Sequence, residues 1–163
     1  MNRKERLDHK LHDRKAEEFI LKKVKEIGWS IQVFDKTEEE PGFAYTIGLV
    51  DTFDHPEIIC FGLAEDDLKN ILNIAGENIK SGKKYKKEVM YEEFLEGFVS
   101  TFIDVDQNII SDYLGYGIWY YGSDSFELIQ LVWPDMNCKF PWQKEFDENI
   151  KFLQPILNST LKT

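Results

Sequence analysis

Phe43-Ala44-Tyr45-Thr46-Ile47-Gly48-Leu49 and, after a turn, Glu57-Ile58-Ile59-Cys60-Phe61-Gly62-Leu63 read as two paired strands. In the first run bulky side chains fill the odd positions and small ones the even positions. Successive side chains of a strand point to opposite faces, so this strand has one bulky face and one small face. A small face either fits closely against a neighbouring element or leaves room for a ligand. Residues Asp51 to Pro56 turn the chain, and the second run, apolar on both faces after Glu57, reads as a more fully buried strand.

Working outward toward the N-terminus, Leu7, Leu11, Ala16, Phe19, Ile20, Val24 and Ile27 recur at helical spacing, and Gly28 supplies a stop. Trp29, Ile31 and Val33 then alternate with Ser30 and Gln32, the pattern of a half-buried strand. Glu38-Glu39-Glu40-Pro41-Gly42 is a charged turn. Toward the C-terminus, Leu68, Ile71, Leu72, Ala75 and Ile79 share one face of a second helix, with Asp66 and Asp67 where its dipole favours negative charge. Lys83 to Lys87 form a basic loop, Val89 to Tyr91 a short strand, and Phe98 to Ile103 a stronger one. The segment Asn108 to Tyr121 has helical spacing, which Gly115 and Gly117 weaken. Phe126 to Trp133 reads as a buried strand, Lys139-Phe140-Pro141-Trp142 as an extended segment over the core, and Glu145 to Leu153 as a final helix. The expected fold is α+β: a mixed or mainly antiparallel sheet, one able to curl toward a barrel, with two or three packed helices.

A chain of 163 residues without repeat or linker predicts a single domain over residues 1–163, with 1–27 as an N-terminal helix. Hydrophobic residues at 42% and aromatics at 14% suffice for a core. The net charge of -10 repels phosphate backbones, which argues against nonspecific nucleic-acid binding and favours a basic protein partner. The charged N-terminus lacks the apolar stretch of a signal peptide, and no run is long enough to span a bilayer, so no membrane association is expected and the cytoplasm is the default compartment. Cys60 and Cys138 lie far apart in sequence, and nothing requires them to pair.

Several tempting motifs fail on their mechanics. Asp104-x-Asp106-x-Asn108 opens like a calcium loop, but Ile109 and Gly115 stand where glycine and a bidentate glutamate are needed. Gly115-Tyr116-Gly117 lacks the third glycine of a dinucleotide fingerprint. Asp8, His9, His12 and Asp13 read as solvated charge rather than metal ligands, and the basic run from Lys80 to Lys87 as a solvated loop. No catalytic residue, metal site or cofactor is expected. Two clusters survive. One joins Tyr45, Thr46 and Gly48 to His55, Pro56 and Glu57, where a histidine beside a carboxylate suits an acid–base pair, a ligand clamp or a structural hydrogen-bond pair. The other is Trp133-Pro134-Asp135 with Phe140-Pro141-Trp142, which suits a recognition surface or the closure of a core edge.

These clusters also carry a resemblance. Gly28-Trp29, the run Phe43–Leu49, His55-Pro56-Glu57 with Ile58 and Ile59, Gly62-Leu63, Leu131 to Asp135 and Phe140-Pro141-Trp142 resemble the bacterial domain-of-unknown-function family 4262 over residues 28–155. Cys138 stands where that resemblance implies a small turn residue such as glycine. The family implies no activity and no catalytic residue; it suggests a toxin-immunity or phage-conflict role, which an acidic surface would suit. The resulting expectation is a non-enzymatic protein-binding module, with Trp133, Asp135 and Trp142 as surface contacts beside a pocket at Tyr45 and His55. A second expectation comes from similarity to flavin-reductase-like split barrels: a flavin or nucleotide site, binding or enzymatic. There Tyr45 would stack, Thr46 would hold phosphate, and His55 with Glu57 would position a proton.

Overall fold

The computed structural model describes residues 13–161. Helix α1 (Arg14–Ile27) starts at Asp13, whose side chain accepts from the Lys15 and Ala16 amides, and ends at Gly28 in the left-handed conformation. The part of the expected helix before Asp13 lies outside the described residues. The chain continues through β1 (Ser30–Phe34), β2 (Phe43–Ile47), the short helix α2 (Leu49–Phe53), β3 (Glu57–Phe61) and α3 (Glu65–Lys80). The hairpin β4 (Tyr91–Leu95) and β5 (Phe98–Asp104) follows, then a 3-10 turn (Gln107–Ile109), α4 (Ile110–Tyr113), α5 (Gly115–Tyr121), β6 (Leu128–Val132) and a 3-10 turn (Glu148–Leu153). The segment left ambiguous by its glycines is therefore helical, whereas the C-terminal helix expected over 145–153 is only this last 3-10 turn.

The strands form one six-stranded sheet in the order β1-β2-β3-β6-β5-β4. Only β3 and β6 pair in parallel; the other neighbours are antiparallel. This is the expected mixed α+β architecture, but the sheet is open, with β1 and β4 as edges, and does not close into a barrel. Closure would need those two edges to pair.

Both faces of the sheet are covered. Helix α3 packs its Leu68, Ile71, Leu72 and Ala75 against Ala44, Ile58, Cys60 and Trp29. The small face of β2 is thus filled by protein: Trp29 lies so close to α3 that a Cβ on Gly76 would come within 2.6 Å of its ring. On the opposite face, Ile20 of α1 and Ile110, Tyr113 and Tyr116 of the 110–121 helices cover Phe43, Tyr45, Ile47, Ile59 and Phe61. Because α1 lies over β1, the polar Ser30 and Gln32 are buried while Ile31 and Val33 are only half-buried. The two polar groups satisfy one another, Gln32 Nε2 donating to Ser30 Oγ at 2.8 Å. Among the described residues no helix is long and apolar enough to cross a membrane.

Candidate functional site

The turn between β2 and β3 places Thr46, His55 and Glu57 close together in the chain, yet each is drawn into the protein interior. Glu57 is fully buried at the start of β3. Its Oε1 accepts from Thr46 Oγ1 at 2.8 Å and Leu49 N at 3.1 Å. Its Oε2 accepts from Gly48 N at 2.9 Å, Val50 N at 3.2 Å and the Tyr121 hydroxyl. The carboxylate thereby gathers the orphan amides at the N-terminus of α2, a task usually done by a local cap. Gly48 has φ +113° at this turn, and a Cβ there would meet Gly28 O at 2.6 Å, so a side chain is excluded. Burial pushes the Glu57 carboxyl up to about 7, against the pull of Tyr121, Thr46 and the Val50 and Gly48 amides.

Thr46 is engaged on both sides: its hydroxyl donates to Glu57 and accepts from Ile58 N at 2.9 Å. Tyr45 is fully buried, and its hydroxyl accepts from Tyr116 N at 3.2 Å at the start of α5. Burial raises the Tyr45 phenol well above its ordinary range.

His55 belongs to a different network. Its Nδ1 faces the carbonyl of Pro56 at 2.8 Å, and its Nε2 accepts from Tyr85 N at 3.0 Å. A carbonyl can only accept and an amide N–H can only donate, so the ring is held as the neutral tautomer with its proton on Nδ1. Burial holds the imidazole below its ordinary value; the Pro56 carbonyl opposes this, and Lys84 adds to it. His55 thus anchors the basic loop at Tyr85, whose ring sits among Tyr91, Phe94 and Phe102.

The second cluster divides. Trp133, expected at the surface, is only 7% exposed, because its Nε1 donates to Phe61 O at 2.7 Å and its backbone is clamped by Gln154. Asp135, also expected at the surface, is 2% exposed. Its carboxylate accepts from the amides of Asn137, Lys139 and Asp147, each at 2.9 Å, and organises the loop that follows β6. Desolvation would raise that carboxyl, but the amides of Lys139, Asp147 and Asn137 outweigh it and hold the group below its usual range. In the same loop Cys138 has φ +62°, the left-handed conformation that favours glycine.

Trp142 alone of the seven expected contacts keeps an open side. Its ring is half-buried and stacks on Phe140, with centroids 5.2 Å apart and planes 8° apart. It lines a cleft of about 620 Å³ with Met90, Thr101, Lys86, Lys87 and Leu161. Met90, 53% exposed, and its exposed neighbour Val89 extend the apolar surface. Lys87 pairs across the rim with Asp104 at 2.7 Å. Val89 and Met90, expected within a short strand, instead precede β4 and are exposed, next to the basic run. Tyr121 and Gln154, which complete the Glu57 and Trp133 networks, were missed because their partners are remote in sequence.

Among the described residues, no group of three or more His, Cys, Asp or Glu side chains could hold a metal ion. The family model Domain of unknown function (DUF4262) matches residues 23–147, and the chain belongs to that family. No curated protein and no solved structure matches it.

Proposed function

We propose that this member of the DUF4262 family is a non-enzymatic protein-binding module that contacts its partner at the Trp142 cleft. The observation that carries the proposal is the setting of Trp142: a ring stacked on Phe140, half-open, lining one cleft with the exposed Met90. Rigid aromatic anchors next to flexible apolar side chains are the usual energetic centres of protein interfaces. The net charge of -10 favours a basic partner and speeds its approach, which suits neutralisation of a basic protein in toxin immunity or phage conflict. A flavin or nucleotide site would need Tyr45, Thr46, His55 and Glu57 turned toward a ligand, whereas each is bonded within the fold.

The test is native mass spectrometry of the protein isolated gently from its own cells, beside the Trp142→Ala variant with its fold checked by circular dichroism. A co-purifying protein retained by the wild type and lost from the variant is the expected result. A stoichiometric small-molecule adduct, or a protein retained equally by both, would overturn the proposal.

A further inference from the structure

The two edges of the sheet are protected unequally. Edge strand β4 carries Glu92 and Glu93, charges of the kind that discourage pairing with another chain. Edge strand β1, Ser-Ile-Gln-Val-Phe, contains neither charge nor proline. Among the described residues it pairs only with β2. In an antiparallel pair alternate residues direct their N–H and C=O groups away from the partner, so β1 presents backbone hydrogen-bonding groups at its outer edge.

Charge is distributed unevenly along this edge. Near Ser30 and Ile31 a small pocket is lined by Lys23, Lys69, Asn73 and Phe19, with Lys69 paired to Glu65 at 3.4 Å. Phe19 is 50% exposed, with Lys23 Nζ 5.7 Å from its ring centroid. Near Val33 and Phe34, at the other end of the strand, a cleft of about 810 Å³ also lined by Lys36, Glu40 and Glu65 presents Asp35, Glu38 and Glu39. These three acidic residues are exposed.

We infer that β1 is a homodimerisation edge, occupied by the β1 strand of a second copy running antiparallel across a two-fold axis. That operator is the one that makes the surface self-complementary. It sets the Lys23–Lys69 end of each copy against the Asp35–Glu39 end of the other, and it does so twice, as an isologous interface requires. A parallel pairing would set like charges together. The arrangement joins two sheets through uncharged strands and leaves each Trp142 cleft on the far side of the sheet, beside β5, free for a partner.

The test is sedimentation velocity over a concentration series on three proteins: the wild type, Lys23→Glu/Lys69→Glu, and Glu38→Lys/Glu39→Lys, all folded by circular dichroism. The wild type should dimerise, and each variant alone should dissociate at least about tenfold more readily, since like charges then meet at both ends. An equimolar mixture of the two variants should regain the wild-type affinity, because each altered end then meets its complement. A wild type that stays monomeric at the highest concentration reached, variants that associate like the wild type, or a mixture that fails to recover would each overturn the inference.

Discussion

Replacing His55 with phenylalanine keeps a buried ring before β3 and removes both of its hydrogen bonds. Pro56 O loses its donor, and the Tyr85 N–H is left buried without its acceptor. An orphaned buried donor costs about 1–3 kcal/mol, and the net loss of the companion bond adds about 0.5–1.5 kcal/mol. In urea at about pH 7.5, His55→Phe should therefore be about 1.5–4.5 kcal/mol less stable than the wild type. The pH dependence of that difference has a definite sign. Burial holds the folded imidazole below its ordinary 6.5, so the unfolded chain binds more protons over the interval between the two values. The stabilisation is thus complete above about 6.5 and is lost as pH falls through the folded value. The wild-type advantage should therefore shrink as the pH falls below about 6.5. Urea titrations of both proteins at matched pH measure it, with the difference cancelling the other titrating groups. A gap under about 0.5 kcal/mol at pH 7.5, or one that widens on acidification, would refute the clamp.

Three further variants test the same geometry. Glu57→Gln should be less stable than the wild type, because its amide group opposes the Leu49 N–H or the donors on Oε2; an equally stable variant would show that the gathered amides find other acceptors. Because the folded carboxyl lies near 7, above its ordinary 4.5, its stabilisation is full below 4.5 and is lost as pH rises through 7, so the gap to Glu57→Gln should narrow between about pH 5 and pH 8. Gly76→Ala would gain about 1 kcal/mol from helix propensity on an open face, but overlap of the new Cβ with the Trp29 ring should turn this into a net loss of about 1–3 kcal/mol, read by thermal unfolding. Cys138→Gly should raise stability by up to about 1 kcal/mol by relieving the left-handed backbone at φ +62°, with a drop in melting temperature the contrary result.

What could be read from sequence was local. The alternation of bulky and small residues in Phe43–Leu49 and the one buried face carried by Leu68, Ile71, Leu72, Ala75 and Ile79 located β2 and α3, because each leaves a periodic trace. Helix α2 was read as a turn because the acceptor for its first amides is Glu57, beyond its own C-terminal end. In β1 the polar residues were expected outside; only α1 folding back over the strand buries Ser30 and Gln32, where they bond to each other. The burial of Trp133 depends on Gln154, 21 residues further on. Proline-flanked aromatics carry no local sign of which side of a core boundary they occupy, so Trp133 and Trp142 looked alike.

His55-Pro56-Glu57 resembles an acid–base pair in sequence, and the fold places the two side chains in separate hydrogen-bond networks. The two side chains hydrogen-bond to separate partners, His55 to the loop at Tyr85 and Glu57 to the first amides of α2. Burial acts on a base and an acid in opposite directions, lowering the imidazole and raising the carboxyl. Their contributions to stability therefore have opposite slopes through the weakly acidic range: the histidine favours the fold as pH rises and the glutamate as pH falls. Together they flatten a dependence that either alone would impose, so His55→Phe and Glu57→Gln should each steepen the profile, in opposite senses. Catalysis would ask the reverse of such a pair, a shared proton path and a side open to substrate. His55 is held by a backbone amide and carbonyl, and Glu57 by backbone amides with the Thr46 and Tyr121 hydroxyls, two clasps holding the ends of one strand connection in place.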